Sequence, residues 1–89
     1  MGGLDSYLFP NPVSTTNPML KYRQAKAGEL QLQIFDLNGK QIEQIDLGFR
    51  PMGLSAETIN LQQYKNGVYV YRISSGNMQQ YKRFVVSKY

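Results

Sequence analysis

Leu30-Gln31-Leu32-Gln33-Ile34-Phe35-Asp36-Leu37-Asn38-Gly39-Lys40-Gln41-Ile42-Glu43-Gln44-Ile45-Asp46-Leu47 is the stretch that decides the fold. Apolar and polar residues alternate on both sides of Asn38-Gly39, the period-two pattern of a half-buried strand. Asn-Gly supplies the positive φ angles of a two-residue type I′ turn, whose twist suits two antiparallel strands. Such a turn sets Leu30 opposite Leu47, Leu32 opposite Ile45 and Ile34 opposite Glu43 on one side. Gln31–Asp46 and Gln33–Gln44 fall on the other side, with Phe35 and Ile42 next to the tip. One face is then apolar and the other largely polar, and a one-residue slip would destroy that sorting.

The same habit recurs along the chain. Val68-Tyr69-Val70-Tyr71-Arg72-Ile73-Ser74 is rich in β-branched and aromatic residues, and Met78–Ser87 returns after Ser75-Gly76-Asn77. With Gly76-Asn77 as the turn, Tyr69 meets Phe84, Tyr71 meets Lys82 and Ile73 meets Gln80, and this side holds the larger apolar mass. The opposite side pairs Val68 with Val85, Val70 with Arg83 and Arg72 with Tyr81. It too carries apolar groups, as a covered face or a docking surface would.

Met19-Leu20-Lys21-Tyr22-Arg23-Gln24 reads as a strand with Leu20 and Tyr22 on one face. Pro10-Asn11-Pro12 and Asn17-Pro18 bracket Val13–Thr16, an expected extended edge segment followed by a loop. Gly48–Gly53 reads as a loop and Ser55–Ile59 as a short strand. No helical periodicity competes. The fold expected is all-β: an immunoglobulin-like antiparallel β-sandwich of about seven strands.

Eighty-nine residues make one domain with a single thin core. Cysteine and histidine are both absent, which removes disulfides, thiolate sites and the usual general base near neutral pH. Glu43 and Asp46 are three apart on a strand and point to opposite faces, so no paired-carboxylate site is expected. Neither catalytic nor cofactor nor metal residues are assigned, and the chain is not read as an enzyme. The net charge of +4 is scattered apart from Lys82-Arg83, unlike the concentrated stripe of a nucleic-acid binder. The start fits the myristoylation pattern M-G-x-x-x-[ST], but Met1-Gly2-Gly3 reads as a leader left by cloning, with the domain running over residues 4–89.

Four motifs in order carry a resemblance. Phe9-Pro10-Asn11-Pro12 resembles the Tyr-Pro-Asn-Pro opening of the type IX (Por) secretion system C-terminal sorting domains of Bacteroidetes. Ile34-Phe35-Asp36-Leu37-Asn38-Gly39-Lys40 is similar to that family's hydrophobic-aromatic-Asp-x-x-Gly-Lys strand and turn. Asn66-Gly67-Val68-Tyr69 resembles its Gly-x-Tyr strand opening, and Lys82-Arg83-Phe84-Val85-Val86-Ser87-Lys88 its basic-hydrophobic terminal strand. Phe9 stands where Tyr is usual, and Tyr89 follows the usual final Lys.

The resemblance implies a seven-stranded domain at the end of a larger exported protein. An outer-membrane secretion translocon recognises such a domain, and a sortase-like cysteine peptidase then typically removes it. The cargo is released or attached at the cell surface. The expected recognition residues are Pro10, Asn11, Pro12, Gly67, Tyr69, Lys82, Arg83, Val85 and Lys88. Exposed strand edges also allow a strand-paired homodimer. The competing reading is a carbohydrate- or protein-binding β-sandwich appended to a secreted enzyme. Tyr69, Tyr71, Tyr81 and Phe84 are weighed as a sugar-stacking set, but the register puts Tyr81 on the face opposite Tyr69 and Tyr71. They are therefore read as strand and core residues rather than one flat platform.

Overall fold

The computed structural model describes residues 3–88. Seven strands form two antiparallel sheets: β1 (Leu4–Phe9), β2 (Met19–Gln24), β3 (Gly28–Asp36), β4 (Gln41–Arg50), β5 (Gly53–Thr58), β6 (Gly67–Ser75) and β7 (Met78–Val86). One sheet has the order β1-β2-β5 and the other β4-β3-β6-β7. They stack as the expected sandwich. Leu20, Tyr22, Leu32, Ile34, Tyr71 and Ile73, from β2, β3 and β6, are each at most 2% exposed between the sheets.

The last hairpin follows the expected register at every position from Val68–Val85 to Arg72–Tyr81, with Ser75 opposite Met78. Gly76 takes φ 59° and Asn77 a negative φ, the sign pattern of a type II′ turn.

The Asn38-Gly39 turn differs from the one expected. Only Gly39 has positive φ, at 85°. The loop is three residues, Leu37-Asn38-Gly39, closed by Asp36 N–H donating to the Lys40 carbonyl and Gly39 N–H to the Asp36 carbonyl. The Asp36 carboxylate also accepts from the Asn38 and Lys40 amides. These bonds favour an ordinary type I turn followed by a left-handed glycine, so Asn38 need not leave the common region. The longer loop is absorbed by bulges. Phe35 pairs with Gln41 rather than Ile42, and Leu30 with Gly48 rather than Leu47, while the four pairs from Gln31–Asp46 to Ile34–Glu43 stand as expected.

Three boundaries also differ. Residues 13–16 form no strand: Val13 makes a single parallel bridge to Val86, and the prolines before it remove backbone donors. The seventh strand is instead β1, whose alternation is disguised by Ser6 at a buried position. Tyr71 donates to the Ser6 hydroxyl (2.9 Å), which in turn donates to Gln80 Oε1 (2.7 Å), so the buried hydroxyl is satisfied. The same burial pushes the Tyr71 phenol pKa up. Finally β4 runs through its second bulge to Arg50, and the expected loop 48–53 shrinks to Pro51-Met52. Met1 and Gly2 of the expected leader, and Tyr89, lie outside the described residues.

A second polar staple joins β2, β4 and β5. Arg50 Nε donates to Glu57 (2.5 Å) and to the Tyr22 hydroxyl, which itself donates to Glu57 (3.0 Å). The guanidinium bond holds the Glu57 carboxyl below its ordinary value of 4.5. A depressed carboxylate stabilises the fold fully above that value and loses its contribution as pH falls through the folded value. Glu57→Gln should therefore be less stable than the parent at pH 7 in urea unfolding, with the difference closing below pH 4.5. Leu20, fully buried, should cost about 3 kcal/mol when changed to Ala in the same assay.

Candidate recognition surface

Seven of the nine expected recognition residues gather around the end of β7 and its neighbours, and the sequence order explains how. Gly67 opens β6 opposite Val86, which places the start of β6 beside the end of β7. On the outer edge of β7 the segment 10–13 comes alongside. Val85 N–H donates to Asn11 Oδ1 (3.0 Å), Val13 N–H to the Val85 carbonyl (2.7 Å), and Ser87 N–H to the Val13 carbonyl (2.8 Å). Asn11 thus caps an edge strand, and Pro10 and Pro12 flank it without donors of their own. Pro10, Asn11, Pro12, Gly67, Val85 and Lys88 share this end, with Tyr69 beneath it. Lys82 and Arg83 lie further back along β7.

Two of these residues are turned inward. Tyr69 is 9% exposed, stacks on Phe84 with ring centroids 5.5 Å apart, and donates its hydroxyl to the Lys65 carbonyl (2.6 Å). Lys88 directs its ammonium into three carbonyls, of Leu61 (2.8 Å), Gln62 (3.0 Å) and Tyr64 (2.9 Å), one for each of its protons. Asn66 pairs with the Lys88 backbone through both its amide nitrogen and its oxygen, each at 2.7 Å. Lys88 therefore acts as a clasp that ties the chain after β7 to the loop before β6. Its motif position gave no signal of this, because the three acceptors are backbone atoms.

What faces outward is the other side of the last hairpin. Val68, Val70 and Val85 are half-buried there, beside the exposed Tyr81 and Arg83. Arg72 lies over the Phe35 and Tyr81 rings, 5.9 and 5.8 Å from their centroids, and its guanidinium donates to Gln33 Oε1. Because the Val85 amide and carbonyl point to the free edge, strand alternation turns those of Arg83, Tyr81 and Gln79 the same way. Among the described residues these three make no backbone bond on that edge. The hairpin thus offers a flat apolar-cationic face bordered by an open strand edge.

The aromatic set considered for sugar stacking does not assemble. Tyr69, Tyr71 and Phe84 are buried in the core, and of the four only Tyr81, 56% exposed, reaches solvent. Lys88→Met should leave three carbonyls without a donor and cost about 2 kcal/mol in urea unfolding, while Lys82→Met on the exposed strand should change stability by under about 0.5 kcal/mol.

Comparison with known proteins bears on the whole chain. None of the curated proteins compared with it matches. The sequence pattern of one family, described as the secretion system C-terminal sorting domain, matches residues 7–87. That span takes in every strand except the first residues of β1, and the clustered end of β7 up to Ser87, with Lys88 just beyond it. The chain belongs to this family of secretion system C-terminal sorting domains, which direct their parent proteins through the type IX system across the outer membrane to the cell surface or beyond.

Proposed function

We propose that the secretion machinery reads this domain on the outer face and free edge of the β6–β7 hairpin, and that the clustered end of β7 serves to hold that hairpin in shape. The observation that carries the reading is the open backbone edge of Gln79, Tyr81 and Arg83 beside an apolar-cationic face. Edge strands left unpaired invite strand addition, in which backbone bonds give affinity and alternate side chains give specificity. Here the alternate side chains on the outer face are Gln79, Tyr81, Arg83 and Val85. The partner is the outer-membrane translocon. After transfer, a sortase-like cysteine peptidase removes the domain, and the cargo is attached or released. Pairing of the same edge with a second copy is a competing use of it, visible as a dimer in size-exclusion chromatography.

Pro10, Asn11, Pro12, Gly67 and Lys88 act in this reading as supports. Tyr69 fills the core beneath them, and Lys82 and Arg83 add charge along the exposed strand. Deleting residues 82–89 removes the buried Phe84 and Val86, so loss of export there reports unfolding as well as recognition. Substitutions on the outer face separate the two.

A reporter carrying an ordinary signal peptide and residues 4–89 should reach the medium or cell surface in a host with this system. Tyr81→Ser with Arg83→Glu should lower that export by about tenfold or more, as loss of two central contacts does at an interface, in a domain that still unfolds cooperatively. Full export of the folded double variant would place recognition elsewhere on the domain.

A further inference from the structure

Phe49, Met52 and Leu54 stand 63%, 69% and 75% exposed within six consecutive residues. They occupy the corner where β4 ends, the chain crosses between sheets at Pro51-Met52, and β5 begins. A crossing of this kind is usually made with glycine, proline and small polar residues, so three large apolar groups here are unexplained by the turn itself. Nor is the corner slack. The Gln24 side-chain amide donates to the Arg50 and Pro51 carbonyls (3.3 and 3.4 Å), and the Arg50 guanidinium is tied inward to Glu57 and Tyr22. The apolar groups are held out on an anchored frame.

Cations stand on the β2–β5 side of this corner, next to Leu54. Arg23 is the cross-strand neighbour of Leu54, and Lys21 that of Ala56. Lys26 lies in the loop that follows Gln24. All three are exposed, and among the described residues none makes an ion pair. Asp5, opposite Arg23 on β1, turns its carboxylate to the Ser6 amide and the Gln80 side chain instead. Glu29, opposite Phe49, is the acid on the corner itself.

Protruding apolar groups flanked on one side by unpaired lysine and arginine suit the boundary between acyl chains and anionic headgroups. The apolar tips enter the hydrocarbon, and the cations stay at the headgroup level. A domain exported across the outer membrane meets a bilayer surface on its route. We infer that the β4–β5 corner is a membrane-docking site for an anionic phospholipid surface, with Phe49, Met52 and Leu54 inserted and Lys21, Arg23 and Lys26 on the headgroups. The site is separate from the β6–β7 face, so its failure would leave the recognition proposal standing.

The test is flotation of the 89-residue chain with vesicles of phosphatidylcholine containing about one third phosphatidylglycerol, against pure phosphatidylcholine. Binding should require the anionic lipid and weaken with salt. Lys21→Gln and Arg23→Gln should each reduce it about fivefold, and the triple change Phe49→Ser, Met52→Ser, Leu54→Ser about tenfold or more, all with unchanged melting curves. The chain has no tryptophan, so Phe49→Trp gives a single reporter whose emission should shift to the blue on binding. No binding to anionic vesicles, full binding by the triple serine variant, or an unshifted tryptophan on bound protein would each overturn the inference and leave the corner to a protein partner.

Discussion

The packing of β3 and β6 against β2 is the constraint on which the rest of the sandwich depends. Leu32, Ile34, Tyr71 and Ile73 form the middle of one sheet, and Leu20 and Tyr22 meet them from the other. With no cysteine in the chain, the inner faces must supply the cohesion that a disulfide often provides in so small a domain. The apolar centre sorts the faces, but it leaves two open flanks. Each is closed by a polar staple: Ser6–Tyr71 and Ser6–Gln80 tie β1 to β6 and β7, while Arg50, Glu57 and Tyr22 tie β4 to β5 and β2. These groups sit where the core thins and where alternate strand registers would leave hydroxyls and charges unmatched.

The strands legible in the sequence are those whose alternation is uninterrupted. Tyr69, Tyr71 and Ile73 mark one face of β6, and Gly76-Asn77 fixes how β7 returns, so that hairpin could be read residue by residue. The β3–β4 hairpin was legible in its middle and not at its ends. There Asp36 changes the turn, and two bulges absorb the extra residues. A side-chain bond of this kind competes with the simple turn, and nothing in the alternation announces it. β1 was hidden because a buried serine breaks the apolar pattern, and its partners Tyr71 and Gln80 lie more than sixty residues away.

The residues expected to be recognised divide along the same line. Motif order found the segments that come together around β7, since Asn11, Gly67 and Val85 do meet there. Motif order could not say which residues look outward. Tyr69 and Lys88 satisfy the core and the loop carbonyls, whereas Arg72 and Tyr81, outside the expected set, form the exposed face. The signal for those two was present in the strand register, which had already set them opposite one another. What the sequence could not convey was the free edge of β7, because that depends on strand order within the sheet.

β7 is also the last strand of the chain, and it supplies Phe84 and Val86 to the interior before Lys88 fastens the segment beyond it. Tyr69 and Tyr71 of β6 lie against Phe84, so stripping β7 away would open the core and dissolve the outer face of the hairpin in one event. A copy that has lost its packing thereby loses its exposed edge too, which makes the folded state itself the thing that can be inspected.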